Sequence, residues 1–368
     1  MAKESVGRKF NTARATFRHA SSVARYPNGL RSASTLSTNR GSSAPLTVLV
    51  IGDPAAGYLK PLAGLPSETR VVISRDRARL QEAAPDADVI LNADFRDPSL
   101  LIETFPHASR VRWVHALSAG VEKLISREIA ASDVTMTNGR GLFTIGLAEW
   151  MIGAMIYFAY DFRRLIRSQE AGRWDSFEHA ALFGRTLGIV GYGAIGRAAA
   201  ERARAFGMRI LALRRSDSGN ENGAGDSMVD AVYSRDRIAE MLAECDYAAI
   251  TAPLTAETRG MIGAAEIAAM KTSAVIINVG RGAVVDESAL IAALESGKLR
   301  GAALDVFETE PLPTGHAFYR LQNVLLSPHS ADRVPGSRTR AVEFFLRNFE
   351  HFRIGEPLEN IVDKHAGY

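Results

Sequence analysis

Residues 186–216 restrict the fold more than any other part of the chain. They begin as an apolar run of strand type, turn through Gly191, Gly193 and Gly196 with the spacing G-x-G-x-x-G, and continue as a helical pattern that stops at Gly207. This order binds a dinucleotide, because the first glycine permits the bend, the second lets the pyrophosphate approach the backbone, and the third lets the helix pack on the strand. The stretch therefore predicts a parallel α/β sheet and a dinucleotide cofactor.

Short β-rich runs alternate with helical patterns on both sides of this stretch. Upstream lie VLVIGD, RVVIS, DVILNA, VRWVHAL and VTMTN. The strands expected downstream are residues 186–190, 209–213, 246–251, 274–279 and 302–306. This alternation predicts an α/β protein with two doubly wound parallel sheets, joined by one long apolar helix from about Leu142 to Ser168. A small substrate and the cofactor would meet in a cleft between the two domains.

The first 44 residues differ from the rest of the chain. They are rich in arginine and serine, and Glu4 is their only acid. On helical spacing, Phe10 and Phe17 share a face with small residues, and arginines occupy another face. This composition is typical of an organelle transit peptide, mitochondrial rather than plastid. The alternatives are a plastid transit peptide and a disordered basic tail outside the fold, and with such a tail the protein would be cytoplasmic.

Several classes of protein are excluded by composition. No apolar run approaches the about 20 residues that a membrane span needs. Cys245 is the only cysteine, so no internal disulfide forms, and no His/Cys cluster has the spacing of a zinc site. The formal charge of +3 has its positive excess in the N-terminal segment, so nucleic-acid binding is not indicated. We expect a reducing compartment and no structural metal.

The end of the second strand of the glycine stretch bears on which dinucleotide binds. NAD enzymes place an acid there, about 20 residues beyond the glycines, to bind the ribose 2′-hydroxyl. In this chain the position holds Arg214, followed by Arg215 and Ser216, which can bind a 2′-phosphate. We therefore expect NADP(H) to be preferred over NAD(H). Asp217 leaves an alternative, because a longer loop would bring this acid to the ribose.

An arginine, a histidine and a glutamate further along the chain suit the reduction of a 2-keto acid. Arg281 follows the apolar run INV, at the end of a strand, where a guanidinium can hold a carboxylate through paired hydrogen bonds. His329, in SPHSA, can supply a proton near neutral pH when a carboxylate hydrogen-bonds to its ring. Glu308 and Glu310 both lie upstream as candidates for that carboxylate. We expect Arg281 to bind the substrate carboxylate and His329 to donate the proton.

Six motifs occur in the order found in a known family: LSAGVEKL, GIVGYGAIG, TAPLTAETRGMIG, INVGRGAVVDESAL, ALDVFETEP and SPHSA. From about Pro45 onward the chain resembles the D-isomer-specific 2-hydroxyacid dehydrogenases. The resemblance implies a flavodoxin-like catalytic domain, residues 45–150 and 328–368, and a Rossmann nucleotide-binding domain, residues 151–327. It also implies Glu310, which directly precedes a proline, as the partner of His329.

The resemblance also implies binding residues and an oligomeric state. Backbone N–H groups for the substrate carboxylate would come from Ser118, Ala119, Gly120 and Val121. Cofactor contacts would come from Ala194 and Ile195 at the pyrophosphate, Thr251 and Pro253 on the adenosine side, Val279, Gly280 and Asp305 at the nicotinamide end, and Ser330 and Ala331. Gly120, Pro253 and Asp305 have an alternative role as parts of loops. A homodimer would form through the nucleotide-binding domain, where Trp150, Met151 and Met155 either contribute or belong to the core.

These observations predict an enzyme that reduces a small 2-keto acid, such as glyoxylate or hydroxypyruvate, to the D-2-hydroxy acid with NADPH. Within the family the chain is similar to glyoxylate and hydroxypyruvate reductases. Two alternatives stay open. One is an NAD-dependent dehydrogenase of D-2-hydroxy acids or phosphoglycerate, and the other is a corepressor-like protein that binds the dinucleotide without significant turnover.

Overall fold

The computed structural model describes residues 45–214 and 226–367, which form two parallel β-sheets with helices packed against them. The first sheet consists of β1 (Thr47–Ile51), β2 (Arg70–Ser74), β3 (Val89–Asn92), β4 (Trp113–Ala116) and β5 (Thr135–Asn138). The second consists of β6 (Thr186–Val190), β7 (Arg209–Leu213), β8 (Ala231–Tyr233), β9 (Tyr247–Ile250), β10 (Val275–Asn278), β11 (Gly301–Leu304) and β12 (Val324–Leu326). The α-helices are α1 (Arg77–Ala83), α2 (Ser99–Thr104), α3 (Arg127–Ala131), α4 (Thr144–Ala159), α5 (Phe162–Glu170), α6 (Ala194–Ala205), α7 (Ile238–Glu244), α8 (Ala264–Ala269), α9 (Glu287–Glu295) and α10 (Ser337–Ile354).

The strand order of both sheets confirms the predicted fold class. The first sheet has the order β2-β1-β3-β4-β5, which is the flavodoxin order, and the second has β12-β11-β10-β9-β6-β7-β8, which is the Rossmann order extended by one strand. The order reverses between β1 and β3 in the first sheet and between β6 and β9 in the second. In open α/β sheets, ligands bind beyond the carboxyl ends of the strands at such reversals.

The apolar runs become strands because both faces of each sheet are covered. In β1, Val48 and Val50 enter a cluster that includes α4 and α10, whereas Leu49 and Ile51 enter a cluster that includes α1 and α2. The first of these clusters continues through α4 to α6 and β10 of the second sheet. A strand that is buried on both faces reads as a continuous apolar run, as β1 does. The shared cluster packs the two sheets into one body.

The prediction of one long joining helix is wrong. The helical pattern divides into α4 and α5 at Asp161, whose φ of 48° lies in the left-handed region. The Asp161 carboxylate accepts a hydrogen bond from the backbone N–H of Arg164 at 3.3 Å and so caps α5. Met151 and Met155 of α4 are fully buried, so they belong to the core. The chain therefore turns where the buried helix ends.

The C-terminal helix α10 returns to the first sheet. The ring of Phe345 stacks on Trp113 of β4 with 5.1 Å between centroids. Beyond the helix, the side chain of Asn360 donates to the backbone oxygens of Asn138 and Arg140 at 3.2 and 2.8 Å. The tail thus completes the packing around the first sheet, while the exact domain boundaries given above stay a prediction.

Two predictions concern residues that the structure does not describe. The proposed targeting segment, residues 1–44, lies outside the described ranges, as do Arg215, Ser216 and Asp217.

Within residues 45–214 and 226–367, no helix combines the length and the apolar character that crossing a bilayer requires.

Candidate active site

The glycine turn between β6 and α6 has the geometry of a pyrophosphate site. Gly191 has a φ of 94°, and a Cβ at this position would lie 2.6 Å from the backbone nitrogen of Ala252. A Cβ on Gly196 would lie 2.8 Å from the side chain of Ile189, whereas one on Gly193 would meet no atom within 4 Å. Two glycines are thus required by packing, and the third leaves open space for a ligand.

The first turn of α6 faces that open space. Gly193 is the N-cap residue and has no side chain to satisfy the N–H groups of the helix, so these groups are available to phosphate oxygens. Ala194 is exposed and Ile195 is partly exposed in this turn. From the neighbouring strand, the hydroxyl of Thr251 donates to the carbonyl oxygen of Gly191 at 2.5 Å and fixes the loop. The residues present therefore fit a dinucleotide.

Pro253, also predicted at the cofactor, has a role in its own loop. Its carbonyl oxygen accepts a hydrogen bond from the hydroxyl of Thr258 at 2.6 Å. This contact supports the structural alternative for Pro253, and its contact with the adenosine stays a prediction.

At the end of β7, Arg214 occupies the position that an acid takes in NAD enzymes. Its guanidinium carbon lies 4.7 Å from the centroid of the Tyr192 ring, and its Nη2 donates to Asp226 at 3.4 Å. Asp226 also accepts a hydrogen bond from Arg197 at 2.7 Å. Burial raises the pKa of Tyr192 to about 12, so its ring stays neutral under the guanidinium. This edge of the site thus carries two guanidinium groups that share one carboxylate.

The loop that carries Arg281 is fixed by the last residue of β10. Asn278 is 1% exposed; its amide donates to the carbonyl oxygen of Arg281 and its oxygen accepts from the N–H of Gly280, both at 3.1 Å. A Cβ on Gly280 would lie 2.7 Å from the carbonyl oxygen of Ala252, so the loop passes close to the neighbouring strand. Val279 between them is buried. The Arg281 side chain therefore starts from a rigid backbone.

The guanidinium of Arg281 lies on the loop that follows β4, where the substrate carboxylate is predicted to bind. Its Nε donates to Oε1 of Glu122 at 2.5 Å, and a Cβ on Gly120 would overlap its Nη2. Burial acts to raise the pKa of Glu122, but the charge and hydrogen bond of Arg281 outweigh it and the pKa is lowered. The substrate loop and the Arg281 loop thus meet through an ion pair.

Internal hydrogen bonds shape the substrate loop itself. The hydroxyl of Ser118 donates to the carbonyl oxygen of Gly120 at 2.8 Å, and the amide of Asn138 donates to that of Ala119 at 2.7 Å. The side chain of Val121 is buried in the core of the first sheet. Gly120 is required here by the close approach of Arg281, which is a more specific reason than a turn.

His329 and Glu310 form the pair that the sequence places at the centre of the chemistry. Nδ1 of His329 donates to Oε2 of Glu310 at 2.7 Å, and Oε1 of Glu310 accepts from the N–H of Phe307 at 3.0 Å. Glu308, the competing candidate, is exposed, and its backbone N–H donates to the carboxylate of Glu287 at 3.2 Å. Because Nδ1 is engaged, Nε2 is the ring nitrogen left to face a substrate.

Asp305 holds the backbone of His329 in an unusual conformation. His329 has a φ of 48°, and its N–H donates to the carbonyl oxygen of Asp305 at 2.9 Å. The Asp305 carboxylate, which is 1% exposed, accepts from the N–H groups of Ser330 and Ala331 at 2.8 and 3.0 Å. Burial raises the pKa of this carboxyl. Asp305, Ser330 and Ala331 therefore support the histidine loop, and their contacts with a cofactor stay a prediction.

The two partners shift each other's pKa in opposite directions. The hydrogen bond from His329 to Glu310 raises the pKa of the histidine, and partial burial of the ring opposes this increase only in part. For Glu310, burial acts to raise the pKa, but the hydrogen bonds from His329 and from the N–H of Phe307 outweigh it and the pKa is lowered. Both shifts favour an imidazolium beside a carboxylate.

Comparisons with known proteins identify the family. Residues 152–331 match the model of the NAD-binding domain of D-isomer-specific 2-hydroxyacid dehydrogenases. A glyoxylate reductase from Korarchaeum cryptofilum is 34% identical over 308 aligned positions, and the alignment covers 81% of this chain and 87% of that protein. The chain belongs to the D-isomer-specific 2-hydroxyacid dehydrogenase family. As a member of it, the protein is an NAD(P)-dependent oxidoreductase of 2-hydroxy acids.

Other relatives differ in activity, and two of the solved structures hold NADPH or NADP. A D-3-phosphoglycerate dehydrogenase from Methanocaldococcus jannaschii is 31% identical over 298 residues, and the match spans only 55% of that protein. The structure of an NADPH-dependent glyoxylate/hydroxypyruvate reductase from Sinorhizobium meliloti, in complex with NADP and sulfate, has a TM-score of 0.76 and 26% identity over 89% of this chain and 100% of that one. A family member from Xanthobacter autotrophicus, in complex with NADPH and MES, has a TM-score of 0.74 and 28% identity over 88% and 100% of the two chains.

Sequence reasoning missed several residues that shape the site. Glu122 lies within the motif LSAGVEKL, but its partner Arg281 is 159 residues away, so no local pattern joins them. Asn278 precedes the Arg281 motif as an ordinary strand residue, although a polar residue at the end of an apolar run was a usable signal. Asp226 follows a stretch without periodic pattern and gave no signal.

Proposed function

We propose that the protein reduces a small 2-keto acid to the D-2-hydroxy acid, with His329 as the proton donor and Arg281 binding the substrate carboxylate. The observation that carries this proposal is the 2.7 Å hydrogen bond between His329 and Glu310, at a site where the charge of Arg281 also acts on the pKa of the histidine. Arg281 extends from the end of β10, and both residues lie beyond carboxyl ends of strands of the nucleotide-binding sheet.

Three residues of the chain have separate roles in this reaction. A bound nicotinamide supplies the hydride. As the keto oxygen gains negative charge, Nε2 of His329 donates its proton to it, and the ring becomes neutral. Glu310 stabilises the charged ring before the transfer and orients it through Nδ1. Arg281 holds the carboxylate so that the keto carbon keeps one position. The reverse oxidation uses the neutral ring as a base.

Relatives support a small substrate. Several similar proteins are named glyoxylate reductases, from Korarchaeum cryptofilum and from Thermococcus litoralis among others. The structural neighbour from Sinorhizobium meliloti adds hydroxypyruvate to the substrates named. We therefore propose glyoxylate or hydroxypyruvate as the substrate class.

We further propose NADPH as the preferred reductant. Arg214 directly follows β7, and its guanidinium is positioned by the Tyr192 ring beneath it and by Asp226. A 2′-phosphate at this edge would gain charge-assisted hydrogen bonds from Arg214 and Arg197, which Asp226 engages in this structure. The two structural neighbours described above, each in complex with NADP or NADPH, are consistent with this choice.

A homodimer is proposed from exposed apolar side chains in α5 and in the segment that follows it. Trp174 is 98% exposed and Phe183 81% exposed, and Ile166 of α5 is about half exposed. Large apolar side chains at such exposure, close together in the chain, favour a protein–protein contact. Sedimentation equilibrium of the full chain should show a species of twice the chain mass, and a purely monomeric protein at micromolar concentration would contradict this proposal.

Replacing Glu310 with Gln is expected to move the pH dependence of reduction to lower pH. Because the pKa of His329 is raised, the imidazolium persists above the usual pKa of about 6.5, and reduction declines as pH rises through the raised value. Glutamine carries no charge to hold the proton, so the decline should begin at lower pH. The pH profile of kcat/KM for reduction measures this, with the exposed Glu308→Gln as control. Coincident profiles for wild type and Glu310→Gln would show that Glu310 does not tune the histidine.

The activity itself is tested by steady-state reduction of glyoxylate, hydroxypyruvate and pyruvate, each with NADPH and with NADH. We expect turnover of at least one of these acids and a strong preference for NADPH. Turnover with NADH as the better reductant would reverse the cofactor proposal but leave the catalytic residues in place. Binding of the dinucleotide without turnover of any 2-keto acid would favour the corepressor-like alternative.

A further inference from the structure

The guanidinium of Arg281 is already partly engaged by protein groups. Its Nε donates to Oε1 of Glu122 at 2.5 Å, its Nη2 to Oε2 of the same carboxylate at 3.4 Å, and its Nη1 to the carbonyl oxygen of Gly280 at 2.7 Å. A guanidinium has five N–H groups in one plane. These contacts leave one hydrogen on each of the two Nη nitrogens. A substrate carboxylate can therefore approach only the end formed by Nη1 and Nη2.

Glu122 also adds a fixed negative charge beside the substrate. Its side chain and that of Arg281 are each 28% exposed, so the pair is partly shielded from water. The pKa of Glu122 is lowered against the effect of burial, so the carboxyl is ionised at neutral pH. A bound substrate carboxylate would place a second anion on the same guanidinium. The positive charge of Arg281 is thus shared before any substrate arrives.

The other charges near the site do not cancel the negative charge of Glu122 beside Arg281. Lys123 is exposed, and its positive charge lowers the pKa of Glu122 less than Arg281 does and the pKa of Glu310 less than His329 does. His329 and Glu310 already neutralise each other as a pair. Glu122 is therefore an anion in direct contact with Arg281, the residue proposed to bind the substrate. It lies on the loop after β4 of the first sheet, whereas Arg281 follows β10 of the second sheet.

We propose that Glu122 determines substrate charge: it admits 2-keto acids with one negative charge and disfavours those with two. This inference rests on the proposed role of Arg281. A monoanion meets a guanidinium whose remaining hydrogens suffice for one carboxylate. A dianion meets the same hydrogens plus the repulsion between its second charge and Glu122, and repulsion of this kind is a general means of excluding a wrong substrate. Phosphorylated and dicarboxylic keto acids would be excluded in this way.

The test compares two unreactive substrate analogues of nearly equal size, oxamate with one negative charge and oxalate with two. Their dissociation constants are measured by calorimetry on the full chain saturated with NADPH, or with NADH where that cofactor binds more tightly. In Glu122→Gln the side chain keeps its shape and an oxygen that accepts a hydrogen bond from Nε, but loses its charge. We expect the preference for oxamate over oxalate to be about 10-fold smaller in Glu122→Gln than in the wild type.

Two further variants separate charge from position. Glu122→Asp keeps the charge and should leave the affinity ratio within about threefold of wild type. Glu128→Gln removes a charge from α3, six residues further along the chain, and should not change the ratio. Equal cofactor affinity in all variants verifies that each is folded.

The outcomes distinguish this inference from the proposed function. An unchanged ratio in Glu122→Gln would overturn the inference, and so would equal loss of both analogues, which would make Glu122 only a support for Arg281. Failure of the wild type to bind either analogue would overturn the role of Arg281 together with the inference. The proposed function is judged separately, by turnover of the keto acids, which the affinity ratio does not require.

Discussion

Replacing His329 is expected to lower the turnover number for keto-acid reduction by about 100-fold or more, because its ring, hydrogen-bonded to Glu310, is the proposed proton donor. The affinity for the cofactor should not change, since the imidazole is engaged by Glu310 rather than by the glycine turn. Steady-state kinetics and cofactor titration together measure both quantities.

The choice of variant matters at this position. His329 has a φ of 48°, and among ordinary residues asparagine adopts such left-handed backbone more readily than alanine. His329→Asn therefore complements His329→Ala, because it removes the proton donor with less backbone strain. His107→Ala, at an exposed histidine, is the control. Unchanged turnover in both His329 variants would remove this residue from the mechanism.

Replacing Arg214 with Asp is expected to change the preference for NADPH over NADH by about 100-fold or more. The guanidinium that would bind the 2′-phosphate is lost, and the new carboxylate repels the phosphate while accepting a hydrogen bond from a 2′-hydroxyl. The ratio of kcat/KM values for the two cofactors, with one keto acid held constant, measures the change. Arg214→Gln, which removes the charge without adding repulsion, should have a smaller effect.

A matched control lies at the other end of the same strand. Arg209 begins β7, is exposed, and pairs with Glu244, so Arg209→Gln should leave the cofactor ratio unchanged. An unchanged ratio in Arg214→Asp would mean that the 2′-phosphate, if bound, lies elsewhere, and Asp217 would again become the candidate contact for the ribose.

Most of the fold was accessible from local patterns. A buried parallel strand reads as a continuous apolar run, and β6 and β7 begin and end at the predicted residues. β8 was missed because three residues carry too little pattern to separate a strand from a loop. The break at Asp161 was missed because a helical period continues across it, and only the packing of α4 in the core decides where the chain turns.

In the site, too, residues in local motifs could be predicted, whereas contacts fixed by packing could not. Arg281, Glu310 and His329 stand in motifs, and each motif follows a strand whose carboxyl end has a predictable place in the sheet. The partners of Arg281 and Arg214 come from segments with no pattern that points to them. Glu122 reaches Arg281 only because the two sheets share one core, and Asp226 reaches Arg214 across a stretch outside the described residues. Contacts between distant segments are fixed by tertiary packing rather than by spacing.

The most direct test of the proposed activity is the configuration of the product. Hydroxypyruvate is incubated with the full chain and NADPH, oxidation of NADPH is followed by absorbance, and the glycerate formed is separated on a chiral column. We predict oxidation of one NADPH for each molecule of D-glycerate. L-glycerate as the product, or no oxidation of NADPH or NADH with hydroxypyruvate, glyoxylate or pyruvate, would contradict the account.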